Sequence, residues 1–291
     1  MKINSKEFRV KQGEKVNLEK RPTSVKPYYN SKKEYHKHLA EQVDSLSKLQ
    51  CLHYASNRSA LLLIFQGMDG AGKDGIIRHV MSGVNPQGCQ VFSFKQPSAE
   101  ELQHDFLWRT THRLPERGRI GIFNRSYYEE VLVARVHPEI LDHQKIPAAC
   151  RPSDMWERRY DQIRRFEKTL IENGTVILKF FLHLSKDEQK RRFLERIERS
   201  EKNWKFSGSD LAERTRWKDY QRAYEAAIEA TSTRETPWHV IPADRKWFSR
   251  AAVARVVVKT LEGLDLRYPS VTKEQRLALK GARKALLAEG A

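Results

Sequence analysis

The 291-residue chain has only three cysteines, no apolar run of membrane-spanning length and no internal repeat. Each absence excludes something. Cys51, Cys89 and Cys150 are odd in number and widely spaced, which argues against a disulfide framework and offers no metal-type pairing. No stretch approaches the roughly eighteen apolar residues of a spanning helix, and the polar N-terminus has no signal-peptide core. No membrane association is expected, and the cytoplasm is the expected compartment. Acidic residues are also in short supply. The 54 Lys and Arg against 37 Asp and Glu leave a net charge of +17 and a pI near 9.8. Such a surplus suits a polyanion: nucleic acid, an acidic membrane surface or a phosphate compound. Nucleic acid is not the expected partner, since the chain has no zinc-finger spacing, aromatic RNA-binding signature or basic zipper.

What is present is a glycine-rich loop. Gly67 to Gly75 reads GMDGAGKDG, between the apolar run Ala60 to Gln66 and the helical start Ile76 to Val80. Strand, loop and helix in that order form a phosphate-binding loop, in which glycines turn the backbone and aim N–H groups at one anion. Gly70, Ala71, Gly72, Lys73 and Asp74 are the expected phosphate contacts, with the Lys73 charge able to bridge adjacent phosphates. Asp74 stands where Ser or Thr usually holds magnesium. Asp69 is therefore the candidate metal ligand, because a carboxylate beside phosphate calls for a hard cation between them; the other reading is an Asp that merely caps the turn.

A second cluster, Asn124-Arg125-Ser126-Tyr127-Tyr128-Glu129-Glu130, directly follows the apolar run Ile120 to Phe123. A neutral amide at Asn124 orients a ligand without adding charge. Arg125 carries a planar fork that binds phosphate oxygens in pairs. Glu129 and Glu130 either approach the acceptor or its metal, or sit at a helix N-terminus on the surface.

Five apolar runs read as buried parallel strands: Ala60 to Gln66, Gln90 to Phe94, Ile120 to Asn124, Val176 to Leu184 and His239 to Ala243. Helical patterns alternate with them, including one from about Lys32 to Lys48. Ser98 with Glu101 and Ser185 with Glu188 have capping-box spacing. The expected architecture is a three-layer α/β/α fold with a five-stranded parallel sheet and its site at the carboxyl ends of the strands. Residues 1–30 are expected to form an extended basic arm, residues 31–268 the main domain and residues 269–291 a helical tail. A basic segment at about 185–231 is placed as a lid, although a run such as Lys190 to Lys205 is also what a solvated helix face looks like.

Over about residues 30–268 the chain resembles the polyphosphate kinase 2 family of P-loop kinases. The resemblance rests on GMDGAGKDG, on DFLWRTTH at Asp105 to His112, and on FNRSYYEEVLVARVH at Phe123 to His137. It continues through KFFLHLSKDEQKRRFLERI at Lys179 to Ile197, NWKFSGSD at Asn203 to Asp210, Trp217, Tyr220 and Pro237-Trp238. It implies a thymidylate-kinase-like fold and reversible phosphoryl transfer between inorganic polyphosphate and nucleotides (AMP, ADP, GMP or GDP), with Mg²⁺ or alternatively Mn²⁺. Asp69, Lys73, Asn124 and Arg125 are then the catalytic residues, and Arg125 and Glu129 meet the nucleotide. Arg192, Arg196 and Lys205 track the polyphosphate from the lid, with Arg192, Arg196 and Arg199 sharing one helix face. Some members carry Asp at the position of Asn124, so a metal-binding carboxylate does not transfer there. The run NRSYYEE is similar to the branch that accepts both nucleoside mono- and diphosphates. A homo-oligomer, dimer or tetramer, is expected. The competing readings are an ATP-dependent nucleoside monophosphate kinase of thymidylate-kinase type and a nucleic-acid-binding protein with a vestigial loop.

Overall fold

The structure, a computed structural model, describes residues 3–26 and 31–289. In chain order come α1 (Lys32–Ser56), β1 (Ala60–Gln66), α2 (Lys73–Val80), β2 (Cys89–Ser93) and the single turn α3 (Trp108–Thr111). β3 (Ile120–Asn124), α4 (Glu129–Val136), the short α5 (Ile140–His143), α6 (Met155–Glu172) and β4 (Thr175–His183) follow. The chain closes with α7 (Lys186–Glu198), α8 (Gly208–Thr215), α9 (Trp217–Thr231), β5 (Trp238–Pro242), α10 (Lys246–Glu262) and α11 (Lys273–Ala288).

The five strands form one parallel sheet in the order β2-β3-β1-β4-β5. β1 reads ALLLIFQ and is buried at every position, as a central strand covered on both faces must be. Its alternating side chains divide between two cores. Leu61, Leu63 and Phe65 pack with residues of α1, α2 and α10, whereas Leu62 and Ile64 pack with α4, α6 and α9. The period of two along a strand thus builds the three layers. The chain runs from β1 through α2 to the edge strand β2 on one side, and from β3 it crosses to β4 and β5 on the other side of β1, so a crevice opens at the carboxyl end of β1, where the glycine-rich loop begins.

Several expectations need adjusting. β2, β4 and β5 each start and end one residue before the expected run, yet Phe94 N–H still donates to Asn124 O at 3.0 Å and Ala243 N–H to His183 O at 2.8 Å. β2 is an edge strand with exposed positions, not a fully buried one. α1 runs eight residues past Lys48. Ser98 and Glu101 do form a reciprocal box. At Ser185 only half of one forms: its hydroxyl caps Glu188 N–H, its own N–H goes to Asp244, and Glu188 is held by Arg191 and Arg192.

The N-terminal arm is docked rather than free, with Ile3, Phe8, Val10, Val16 and Leu18 buried. Val10 N–H donates to Trp238 O on β5 at 2.8 Å, while Val16 and Leu18 N–H donate to Glu229 and Glu225 on α9 at 2.6 and 2.7 Å. Residues 1–2 and 27–30 of the arm and 290–291 of the tail lie outside the described residues. α9 was expected to belong to the lid, but it buries Tyr220, Ala223, Tyr224, Ala227 and Ile228 in the second core. Within the expected lid, Gln189, Arg192 and Phe193 meet the loop, and Arg196, Lys205 and Asp210 line the cavity beside it. Among the described residues no helix is long and apolar enough to cross a membrane.

Candidate active site

The loop leaves β1 at Gly67 and enters α2 at Lys73. Gly70 and Gly72 take φ of 82° and 98°, a left-handed region that side chains avoid. A Cβ on Gly70 would lie 3.3 Å from the Phe193 ring, so α7 presses directly on the loop. Gln189 Nε2 donates to the Asp69 carbonyl at 2.8 Å. Arg192 Nη1 donates to the Gly70 and Ala71 carbonyls at 2.8 and 3.0 Å, and its Nη2 to the Ala243 and Asp244 carbonyls at 2.6 and 3.1 Å. Glu188 accepts from its Nε at 2.7 Å. The loop is thereby tied to the chain leaving β5, and the open N-terminus of α2 meets a cavity of about 680 Å³.

This corrects the expected stripe. Arg192 is 4 % exposed and its donors are taken by carbonyls and Glu188, so it braces the loop. Arg199 is solvent-exposed and paired with Glu195 and Glu201. Arg196 does line the cavity, 3.8 Å from Asp210, as does Lys205, which sits over the exposed Trp204 ring at 4.8 Å. The helix face divides because its base is packed and its upper turn is not.

Lys73 is buried, donates to Gly67 O at 2.6 Å, and has its pKa lowered to about 8 chiefly by burial. Arg125 takes φ of 65°, uncommon for a side-chain-bearing residue, while its N–H donates to Phe65 O at 3.0 Å. That strained turn swings the guanidinium between two carboxylates: Nη2 to Asp69 at 2.6 Å and Nη1 to Glu129 at 2.9 Å. Glu129 above all raises the Arg125 pKa further. Glu129, expected at the nucleotide, is 13 % exposed with its carboxylate on Arg125, so the surface reading of it does not hold. Asn124 Nδ2 donates to Asp74 at 2.7 Å and Ser93 at 3.3 Å, while its Oδ1 is buried without a partner.

Beneath this turn lies a buried polar cluster. Tyr127 and Tyr128 hydroxyls donate to Glu167 Oε1 at 3.0 and 2.7 Å. Lys179 Nζ donates to Glu167 Oε2 at 2.6 Å and to Thr231 O at 2.7 Å. Burial, then the Glu167 charge, pushes both tyrosines well above their ordinary pKa.

Among the described residues the loop cavity is lined by ten cationic side chains against four carboxylates. Lys95, Lys246, Arg250 and Asp210 belong to it and were not singled out from sequence. Lys95 lies two residues past the end of β2 and Lys246 begins the helix after β5, so the rule that sites lie at carboxyl ends of strands would have found both. No group of three His, Cys, Asp or Glu among the described residues forms a metal cluster.

A sequence model described as polyphosphate kinase 2 matches residues 29–269. The chain belongs to the polyphosphate kinase 2 family. A Rhodopseudomonas palustris protein named ADP-polyphosphate phosphotransferase is 59% identical over 99% of this chain and 100% of its own length. A Meiothermus ruber protein named AMP/ADP-polyphosphate phosphotransferase is 49% identical over 77% and 80% respectively. The crystal structure of polyphosphate kinase 2 from Arthrobacter aurescens superposes with a TM-score of 0.86 at 41% identity, covering 98% of this chain and 96% of that one. The P-loop kinase architecture of this chain is thus shared with a solved relative of almost equal extent.

Proposed function

We propose that this protein moves a phosphoryl group reversibly between inorganic polyphosphate and nucleoside mono- and diphosphates, AMP and ADP first and the guanine nucleotides with them. The observation that carries the reading is the loop cavity, where Lys73 and the N-terminus of α2 sit among a large excess of Lys and Arg. An ATP-dependent monophosphate kinase needs the loop but not so broad a cationic surface, and the named relatives support polyphosphate as the partner.

The residues divide the work by geometry. Lys73 and the amides from Gly70 to Asp74 hold phosphates at the transfer point, and Arg125, fixed between Asp69 and Glu129, neutralises charge on the phosphoryl group in flight. Arg196, Lys202, Lys205 and Lys246 extend the field along the donor. A phosphate acceptor is already ionised near neutral pH, so no strong base is required. The donor set suits Mg²⁺: Asp69, Asp74 and the unpartnered Asn124 Oδ1 are hard oxygens, and magnesium takes few protein ligands when phosphates and water complete its shell. When bound, it would neutralise phosphate charge.

The test is to incubate the protein with Mg²⁺, long-chain polyphosphate and AMP, ADP, GMP or GDP in turn, and to resolve the products. Transfer from ATP but not from polyphosphate would refute the donor assignment.

A further inference from the structure

We infer that the C-terminal helix α11 is a second docking site for polyphosphate, outside the catalytic cavity: a rail of five cationic side chains that holds a distant stretch of the long chain whose end reacts at the loop. This rests on the phosphotransfer reading above and adds an anchor to it.

The helix packs on nothing. Every residue from Arg267 to Glu289 is exposed, and α11 buries none of its 16 residues. Its start is firmly specified, because Thr272 and Gln275 form a reciprocal capping box. A helix of this length is nonetheless marginal in water without packing, and this one carries a further load. Lys273, Arg276, Lys280, Arg283 and Lys284 succeed one another at three- and four-residue spacings, where like charges repel. Among the described residues none of the five has a carboxylate partner. A polyanion laid along them turns that repulsion into attraction.

At 3.6 residues per turn the five side chains fall within an arc of about 100° and extend about 16 Å along the axis. Glu274 and Glu289, the acidic residues of this stretch, lie off that arc. A straight line of one sign matches a polymer whose charge repeats evenly and which offers no other feature to read. Two other anionic surfaces fit it less well. Single-stranded nucleic acid is held by bases stacked on aromatic rings, and α11 has none. An anionic membrane calls for bulky apolar residues gathered opposite the charges; here Leu277 and Leu287 lie on the cationic side, and the opposite face is Ala278, Ala282 and Ala285 with Leu279 and Leu286. A long polyphosphate that engages the loop cavity and the rail together makes its second contact within one complex, which raises its apparent affinity without any new contact at the catalytic residues. A chain of three phosphates is too short to do so.

The test uses the full chain and has two arms. In the first, amide hydrogen exchange is followed by mass spectrometry without nucleotide: long-chain polyphosphate should slow exchange along residues 273–288, and tripolyphosphate at equal phosphate concentration should not. In the second, Lys280, Arg283 and Lys284 are changed together to Gln; all three are exposed, so the fold should be kept. At low salt the variant should show a KM for long-chain polyphosphate raised about fivefold, with kcat and the nucleotide KM unchanged and the long-chain KM less steeply dependent on salt than the parent's. An unchanged long-chain KM overturns the rail, and so does unaltered exchange along 273–288 in the presence of long-chain polyphosphate. Slowing of that segment by phosphatidylserine vesicles and not by polyphosphate overturns it in favour of a membrane surface. Exchange is read without turnover, so a protein that is slowed along 273–288 by long-chain polyphosphate but transfers nothing from it refutes the donor reading while upholding the rail.

Discussion

Arg192 and Arg196 lie one helical turn apart, yet their replacement should have unlike consequences. In Arg192→Ala four carbonyls, on Gly70, Ala71, Ala243 and Asp244, lose a charged donor, and Glu188 loses its buried partner. Breaking one side of a buried, hydrogen-bonded ion pair costs about 3 to 5 kcal/mol. Solvent entering from the adjoining cavity can hydrate some of the carbonyls, and Glu188 keeps Arg191, so the lower end, about 3 kcal/mol, is expected. With the loop no longer tied to residues 243–244, kcat should fall with every acceptor and either donor. Arg196→Gln removes a cavity-lining charge that is held only loosely, 3.8 Å from Asp210; it should leave stability nearly unchanged and raise the KM for long polyphosphate more than that for nucleotide. Urea unfolding followed by fluorescence, with steady-state kinetics on both substrates, reads both arms. If Arg192→Ala loses less than about 1 kcal/mol, within the range of a surface pair, and only its polyphosphate KM rises, the brace is wrong and the arginine faces the donor.

Lys73 has its pKa lowered to about 8 by burial, so between pH 8 and the unfolded value near 10.5 the unfolded chain holds a proton that the folded chain has lost, and stability rises with pH there. Lys73→Met should be inactive but folded, and more stable than the parent by up to about 3 kcal/mol below pH 8, an advantage that shrinks toward pH 10.5; a constant difference in unfolding free energy across pH 7 to 10 would contradict the burial argument. Asp69→Asn keeps the shape but takes a charge from Arg125 and, on the proposed reading, a ligand from the metal, so kcat should drop about 100-fold and the Mg²⁺ requirement should rise. A small loss with unaltered Mg²⁺ dependence would make Asp69 only a turn residue. Lys179→Met strands Glu167 in the core at a cost of about 3 to 5 kcal/mol, and adding Glu167→Gln should recover much of it; additive losses in urea titrations would argue against a coupled pair.

Some of this protein was legible one residue at a time. β1 and β3 were delimited correctly because strands buried on both faces read as unbroken apolar runs, whatever surrounds them. The loop was legible because its glycines answer a local demand, a left-handed backbone. The arm was not: its buried residues, Ile3 to Leu18, have no helical or strand period, and what holds them are strand β5 and two carboxylates more than two hundred residues away.

The charged residues divide along the same line. Sequence determined that Arg192 and Arg196 share a helix face and that Arg125 follows a strand, since backbone geometry within a few residues sets both. Only the tertiary structure decided that the loop and the end of β5 close over Arg192, that Arg125 is gripped by Asp69 and Glu129, and that segments from Pro97 to Gln162 wall a second cavity. A side chain's direction follows from its neighbours in sequence, whereas its partners and its dielectric surroundings follow from whatever the fold packs against it.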